Sequence, residues 1–181
     1  MHEVETLRTE RFTLRPLERP DAAALFPTLS APEQCRYLTR PAFESEEELW
    51  DWLADPDWNG RTWIAEDREG DVAARFVAVP GHEAGVEEVG YITCMHRQRQ
   101  GVANEGMCAL IDHLFAAPID KGGARKLTAE VDPRNAGSVR LLEKLGFTRE
   151  AHLREHETTH IGVCDVLVYG LLKEEWTSEG G

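Results

Sequence analysis

Long apolar runs are missing from this sequence. No apolar stretch approaches the ~18 consecutive residues from which a transmembrane helix is recognised. The N-terminal residues 1–5 (MHEVE) have neither the basic start nor the apolar stretch of a secretory signal peptide. These absences predict a soluble, cytoplasmic protein that does not insert into a membrane.

Positive charge is scarce as well. The chain has 20 Lys and Arg side chains against 33 Asp and Glu side chains, which gives a formal net charge of −13. Such a surface repels nucleic-acid backbones and anionic membranes, so neither is expected as a partner. The charge favours a neutral or cationic partner. The alternative is that it only keeps the protein soluble.

Disulfide and zinc patterns are absent too. None of the cysteines belongs to a C-x-x-C pair, and the gaps between them are wide. Buried thiols in a reducing cytosol are therefore expected. The cysteines are Cys35, Cys94, Cys108 and Cys164.

One histidine repeat has the spacing of a possible metal site. His152, His156 and His160 recur every fourth residue, which on a helix would suggest a metal site. Thr158 and Gly162 disfavour a helix here, so a strand and loop are expected instead. The sequence therefore predicts no bound metal.

The chain does carry enough apolar residues for a core. Its 181 residues suit one domain over 1–181, and hydrophobic residues make up 41% of them. No internal repeat or low-complexity linker divides the chain.

Periodicity and capping signals predict the secondary structure. Asp21 is expected to cap an Ala-rich helix, and Ser45 with Glu48 forms a capping box for a second helix. A longer helix carries one apolar stripe between Met107 and Phe115, and a short helix spans 135–145. Strands are predicted at 11–17, 63–65, 72–79, 86–94, 126–131 and 165–172. Strands first and then alternating strands and helices indicate a mixed α/β sandwich.

The segment between the fourth predicted strand and the long helix suits an anion. A helix N-terminus presents backbone N–H groups without intrahelical partners and partial positive charge, and a pyrophosphate fits there. Small residues at Gly101 and Ala103 let a ligand approach the backbone. Met107-Cys108 stands where a Walker A motif requires Lys-Ser/Thr, and no G-x-G-x-x-G is present. The predicted loop residues are Gln98, Arg99, Gln100, Gly101, Val102 and Ala103.

The loop and a second block together resemble the GNAT (GCN5-related N-acetyltransferase) superfamily. Gln98, Gly101 and Ala103 match its Gln/Arg-x-x-Gly-x-Gly/Ala pattern. Residues 130–147, EVDPRNAGSVRLLEKLGF, look like the branch of the Rim-type ribosomal-protein N-terminal acetyltransferases. Residues 7–17 and 169–176 match as well, so the resemblance spans nearly the whole chain.

The resemblance implies a fold and a coenzyme site. The fold is a mixed, mostly antiparallel central sheet flanked by helices, in which the fourth and fifth strands splay apart. Acetyl-CoA, a co-substrate, would place its pantetheine in that cleft against the exposed backbone of Ile92, Thr93 and Cys94. Asn135 would contact the coenzyme, and Ser138 would face its sulfur.

Three departures from the family pattern affect the chemistry. Arg99 stands where the branch usually has Gly, and Cys94-Met95-His96 replaces a segment that commonly reads Asp-Pro-Glu. Many members place a Tyr as general acid seven residues after the Asn, but this chain has Leu142 there. Ser138 is the expected substitute, because a hydroxyl can stabilise a departing thiolate; a capping or solvated serine is the alternative.

The acceptor side is less well defined by sequence. His96 is the first candidate for the base that deprotonates the amine, and Glu130 is an alternative. Tyr37 and Tyr91 are expected to line the acceptor pocket, although aromatic residues are more often part of a core. Trp50 and Trp58 are weaker candidates of the same kind.

The sequence thus predicts an acetyl-CoA-dependent N-acetyltransferase that works by direct attack of a primary amine. A protein N-terminus and a small amine both remain open as acceptors, and the oligomeric state is open between monomer and homodimer. The alternative function is a non-catalytic acyl-CoA-binding sensor on the same fold, which the missing Tyr and the unusual segment before the loop would suit.

Overall fold

The computed structural model, which describes residues 4–177, contains one eight-stranded sheet. The strands are β1 (Leu7–Arg8), β2 (Phe12–Pro16), β3 (Arg61–Asp67), β4 (Val72–Pro80), β5 (Val86–Thr93), β6 (Lys126–Val131), β7 (Thr148–Thr159) and β8 (Gly162–Leu172). The helices are α1 (Asp21–Leu29), α2 (Glu46–Leu53), α3 (Val102–Ala116) and α4 (Ala136–Lys144).

The strand order across the sheet is β1-β2-β3-β4-β5-β6-β8-β7. Every neighbouring pair is antiparallel except β5 and β6, which are parallel and are connected through α3. The predicted mixed, mostly antiparallel sheet is therefore confirmed. The strands counted as fourth and fifth in the sequence are β5 and β6 here, because the two-residue β1 was not predicted.

Two apolar cores cover the two faces of the sheet. On one face, the predicted stripe of α3 is fully buried, and Gly106 lets the helix approach the Phe76 ring of β4. On the other face, α1 and α2 pack through Leu25, Leu29 and Leu49 against the sheet. Side chains of β4 alternate between these faces, so Phe76 belongs to the first core while Arg75 lies on the α1–α2 side.

Two predicted helix starts differ in detail. Asp21 does not cap α1 as predicted: its carboxylate accepts hydrogen bonds from the Glu18 N–H at 2.7 Å and from Arg15 at 2.8 Å. Ser45 does cap α2 by accepting from the Glu48 N–H at 3.1 Å. The Glu48 carboxylate accepts from Glu44 N–H, one residue before the position a capping box requires.

The histidine repeat lies on and just after β7, the edge strand of the sheet, and not on a helix. His152 Nε2 is hydrogen-bonded to Asp165 of β8 at 2.7 Å. Register shifts interrupt the pairing of β7 with β8 twice, between Arg149 and Ala151 and between Leu153 and Glu157. Among residues 4–177, no helix has the length and apolar character needed to cross a bilayer.

Candidate active site

A cleft opens where β5 and β6 part. The two strands pair only over Val86–Glu88 and Lys126–Thr128. Beyond these residues both strands continue without pairing to each other. A cavity of about 430 Å³ lies there, between the sheet, the first turn of α4 and the β7–β8 hairpin.

The backbone of β5 faces its two neighbours alternately, as antiparallel pairing requires. Cys94 N–H donates to Ala73 O at 2.9 Å, and Gly81 N–H donates to Val86 O at 2.8 Å. Even-numbered residues of β5 therefore direct their backbone groups to β4, and odd-numbered residues direct theirs toward β6.

This alternation changes which backbone groups are available in the cleft. Tyr91 and Thr93 turn their N–H and C=O groups toward the space that β6 has left. Ile92 and Cys94, which were expected to offer backbone to the coenzyme, direct theirs to β4 instead. Ile92 still lines the cavity, whereas Cys94 is fully buried beside α1 and α2.

The predicted phosphate loop has the conformation of an anion cradle. Arg99 and Gly101 both have left-handed backbone, with φ of 60° and 77°. Within the described chain, no acceptor is found for the N–H groups of residues 99 to 103, and no side chain caps α3. Successive free amides in such a turn at a helix N-terminus bind anions. The loop borders a hollow of about 200 Å³ that Thr93 and Leu141 also line.

A bracing network holds this loop from the side of the N-terminal strands. Arg11 pairs with Glu105 in the first turn of α3 at 2.6 Å, and its Nη1 donates to Gln100 O at 2.9 Å. The side chain of Gln98 donates to Gln34, and that of Gln100 donates to the His96 carbonyl. The side chains of both glutamines are thus engaged with protein, which leaves the backbone amides and the exposed Arg99 side chain as donors of the loop.

The first turn of α4 forms one wall of the cavity. Asn135 caps the helix by accepting from the Ser138 N–H at 3.2 Å, so the Ser138 hydroxyl is not the cap. Tyr91 Oη donates a long hydrogen bond, 3.5 Å, to Ser138 O. Burial raises the pKa of Tyr91 and so favours its protonated form. Leu142 is buried behind Ser138 and lines the same cavity.

Three carboxylates gather at the closed end of the cleft. Glu88, Glu130 and Glu157 line the cavity from β5, β6 and β7. Burial, then the neighbouring Glu130 and Glu157, raise the pKa of Glu88 above its usual range. Glu130 was predicted from sequence, whereas Glu88 was missed because it reads only as one of two acids in V-E-E-V.

Aromatic side chains form the outer wall of the cavity. Tyr37 and Trp58, which are predicted for an acceptor pocket, line this cavity, and Trp52 lines it as well. Trp50 does not: it packs into the core with α1 and carries Arg19 over its ring. Sequence reasoning also missed Arg75, although an arginine inside the apolar run V-A-A-R-F-V-A-V is a signal of a buried charge.

The predicted base His96 lies outside both hollows. It follows β5 in a short 3₁₀ turn, its side chain is 53% exposed, and its Nε2 is hydrogen-bonded to Asp71 at 2.9 Å. Across residues 4–177, no three His, Cys, Asp or Glu side chains are grouped to hold a metal ion.

Comparison with known proteins agrees with this geometry. The model of the acetyltransferase (GNAT) domain matches residues 11–148. An uncharacterized N-acetyltransferase of Bacillus licheniformis, p20, is 29% identical over 180 residues, which are 96% of this chain and 99% of that protein.

Solved structures show the same fold. A GNAT-family acetyltransferase from Bacillus anthracis superposes with a TM-score of 0.84 at 20% identity, over 94% of this chain and all of that one. A spermidine N-acetyltransferase from Vibrio cholerae, solved with CoA and spermine, superposes with a TM-score of 0.78 at 23% identity. The superposition covers 91% of this chain and 97% of that one. The chain is an acetyltransferase that belongs to the GNAT family.

Proposed function

We propose that the protein transfers an acetyl group from acetyl-CoA to a primary amine by direct attack. One observation carries the proposal: a loop of free amides and an acid-lined cavity meet at the unpaired edge of β5. The family uses acetyl-CoA, and the donors present fit this co-substrate. Pyrophosphate suits the amides of residues 99 to 103, and an extended pantetheine arm suits an unpaired strand edge.

Backbone donors on β5 would activate the thioester. The N–H of Tyr91 is turned into the cleft beside the cavity, so it can donate to the carbonyl oxygen as negative charge develops there. A donor fixed in a strand needs no reorganisation during the reaction, which is the basis of oxyanion stabilisation. Thr93 N–H, one repeat further along the strand, would hold the pantetheine.

Glu88 would accept the proton of the attacking amine. It lines the cavity, and its raised pKa makes it a stronger base than an ordinary carboxylate. His96, the base expected from sequence, is turned to Asp71 away from the cavity. Glu88 therefore replaces it in the proposal.

Ser138 would assist the departing thiolate. Its hydroxyl has no hydrogen-bond partner among residues 4–177, and Asn135 already fills the capping role. The hydroxyl is thus free to donate to the coenzyme sulfur on the wall where Leu142 replaces the usual Tyr.

The acidic end of the cavity supports an acceptor that approaches as an ammonium ion. Glu88, Glu130 and Glu157 would attract it, in keeping with the net charge of −13. A small amine and a protein N-terminus both satisfy this requirement. The narrower assignment to the Rim-type branch and a homodimeric state stay predictions.

A screen for thiol release tests the proposal. Purified protein is incubated with acetyl-CoA and panels of small amines, amino acids and peptides, and free CoA is measured with a thiol reagent. We expect release with at least one amine and an N-acetylated product by mass spectrometry. If acetyl-CoA binds by calorimetry but no panel member releases thiol, the protein is the acyl-CoA sensor of the alternative reading.

A further inference from the structure

A buried arginine occupies the cavity opposite the acidic end. Arg75 lies in the middle of β4, is 6% exposed and lines the cavity. Its neighbours across the sheet are Ile64 on β3 and Ile92 on β5, so the guanidinium rises from the sheet on the acceptor side. Nothing in the mechanism proposed above requires a cation at this position.

Arg75 has no carboxylate partner among residues 4–177. Its one hydrogen bond runs from Nη2 to the Thr62 hydroxyl at 3.2 Å, and its Nε has no acceptor. Arg61, buried on the neighbouring strand, shows the usual arrangement: it pairs with Glu87 at 3.0 Å and donates to Gly122 O. Arg61 Nε also lacks an acceptor, but its charge is compensated. A buried charge without a partner destabilises the folded protein. An anionic group bound beside Arg75 would compensate its charge.

Two indole rings hold the guanidinium in place. The Arg75 Cζ lies 4.8 Å from the Trp52 ring centroid and 5.4 Å from that of Trp58. The electron-rich faces of these rings favour the cation, and Nη1 of Arg75 has no hydrogen bond among residues 4–177. Burial lowers the pKa of Arg75 to about 10, which still leaves it charged at neutral pH.

Arg75 and the cluster of Glu88, Glu130 and Glu157 therefore carry opposite charges at different positions in one cavity, whose lining also includes Arg36, Asp55, Asp132 and Asp165. Glu88 sits opposite Val79, four residues along β4 from Arg75, a spacing of roughly 13 Å between backbone positions at ~3.3 Å per residue. Both long side chains reach into the same cavity. The free backbone of Tyr91 lies between these positions along β5, so a substrate that spans both ends passes the proposed point of acyl transfer.

We propose that the acceptor is an amino carboxylate, whose carboxylate binds Arg75 while its amine lies toward Glu88, Glu130 and Glu157. The inference rests on the proposed function and narrows its substrate class. A carboxylate matches the planar fork of the guanidinium through two parallel hydrogen bonds. A dianionic phosphate would be repelled more strongly by the acidic end, and a polyamine would place a positive charge against Arg75.

Matched pairs of acceptors test this. Each amino acid with a primary amine is compared with the amine that remains after its carboxylate is removed. L-lysine, whose ε-amine lies far from its carboxylate, is compared with cadaverine. In the native protein, kcat/KM for the preferred amino acid should exceed that for its amine by about 10- to 150-fold, the value of a hydrogen bond to a charged group. In Arg75→Met this preference should disappear.

A control and a binding measurement separate the outcomes. Arg68→Met removes the same charge from an exposed turn far from the cavity and should keep the preference. Calorimetry in the presence of CoA, with the N-acetyl amino acids and N-acetyl amines as probes, needs no turnover. The N-acetyl amino acids should bind more tightly to the native protein, and the difference should vanish in Arg75→Met.

Two results would overturn the inference. One is equal use, and equal product binding, of amino acids and their amines by the native protein. The other is an Arg75→Met variant that keeps the carboxylate preference and only melts at a different temperature, as a purely structural arginine would. Failure of the proposed function looks different, because no amine of either kind then releases thiol.

Discussion

The loop before α3 and the cavity behind β5 present different kinds of groups to a ligand. In the proposed function the loop binds through main-chain amides at residues 99 to 103, and its glutamine side chains are engaged elsewhere. The cavity is lined by side chains from β4 through β8, from α2 and α4, and from the segments after α1 and α2. A backbone site depends on conformation, whereas a side-chain site depends on individual functional groups.

This difference predicts how each region responds to substitution. Most side-chain changes in the loop should leave coenzyme binding intact as long as the left-handed turn survives. Single changes in the cavity should alter rate or acceptor choice while the fold and coenzyme affinity stay the same.

Loss of the proposed base should produce the largest change. Glu88→Gln keeps the shape but cannot accept a proton, so kcat/KM should fall about 10²- to 10⁴-fold. The raised pKa of Glu88 places the acid limb of the native pH–rate profile above the ordinary range of a carboxyl, because the group must be deprotonated to act. That limb should be absent in the variant.

The matched control for this change is Glu69→Gln, which removes the same charge in an exposed turn. It should retain the native rate and profile. If Glu88→Gln keeps the native kcat/KM, Glu88 is not the base, and the acidic end has no role in the proton transfer.

Ser138→Ala should give the next largest effect. If its hydroxyl stabilises the leaving thiolate, kcat and kcat/KM should fall together by about 10- to 150-fold, with the Kd for acetyl-CoA nearly unchanged. Tyr91→Phe removes the other hydroxyl near this turn and keeps the Tyr91 N–H in place. Steady-state kinetics on both variants decide which hydroxyl assists the leaving thiolate. A larger loss of kcat in Tyr91→Phe than in Ser138→Ala would assign the acid role to Tyr91.

The loop is tested by a pair of substitutions at one glycine. Gly101 has φ of 77°, and a Cβ there would lie 3.3 Å from Arg11 Nη2, so both Asp and Asn meet the same strain and the same neighbour. Only Gly101→Asp adds a negative charge beside the proposed pyrophosphate. It should weaken acetyl-CoA binding by about 10- to 100-fold relative to Gly101→Asn, a range between the limits for two close charges in water and near a protein surface. Equal Kd values by calorimetry would place the pyrophosphate elsewhere.

The smallest effect is expected at the helix caps. Asn135→Ala and Ser45→Ala each remove a side chain that caps a helix, at α4 and at α2. Each should cost about 1 kcal/mol, or roughly 2–4 °C in melting temperature. Acetyl-CoA should raise the melting temperature of Ser45→Ala as much as that of the native protein, and that of Asn135→Ala less. If acetyl-CoA raises the melting temperature of both variants equally, Asn135 caps α4 but does not contact the coenzyme.

The sequence predicted most regular elements because their signals are local. The stripe from Met107 to Phe115 marks α3, and the loop before it is recognisable because a helix N-terminus has the same chemistry in any fold. β7 escaped full prediction because an edge strand is exposed on much of its surface, and the sequence TREAHLREHETT shows no apolar alternation.

The acceptor side could not be predicted in the same way because its residues come together only in the folded sheet. Glu88 and Arg75 belong to different strands, and their roles depend on burial and on which charges lie nearby. The prediction of His96 as the base has the same origin. Its distance in sequence from the loop is short, yet the 3₁₀ turn after β5 points it to Asp71 and not to the cavity.

Direct attack by the amine can be distinguished from a covalent acetyl-protein intermediate in a single turnover. Enzyme in excess over acetyl-CoA is mixed with an acceptor amine from the screen, and mass spectrometry follows the acetyl group on amine and protein over time. Cys164 is the alternative carrier, because its thiol lines the cavity and donates to Glu157 O at 3.5 Å. With direct attack, we expect the acetyl group to pass to the amine with no acetylated protein at any time, and Cys164→Ser to keep the native rate. A transient acetyl group on Cys164 that forms and decays at the rate of product formation would contradict it.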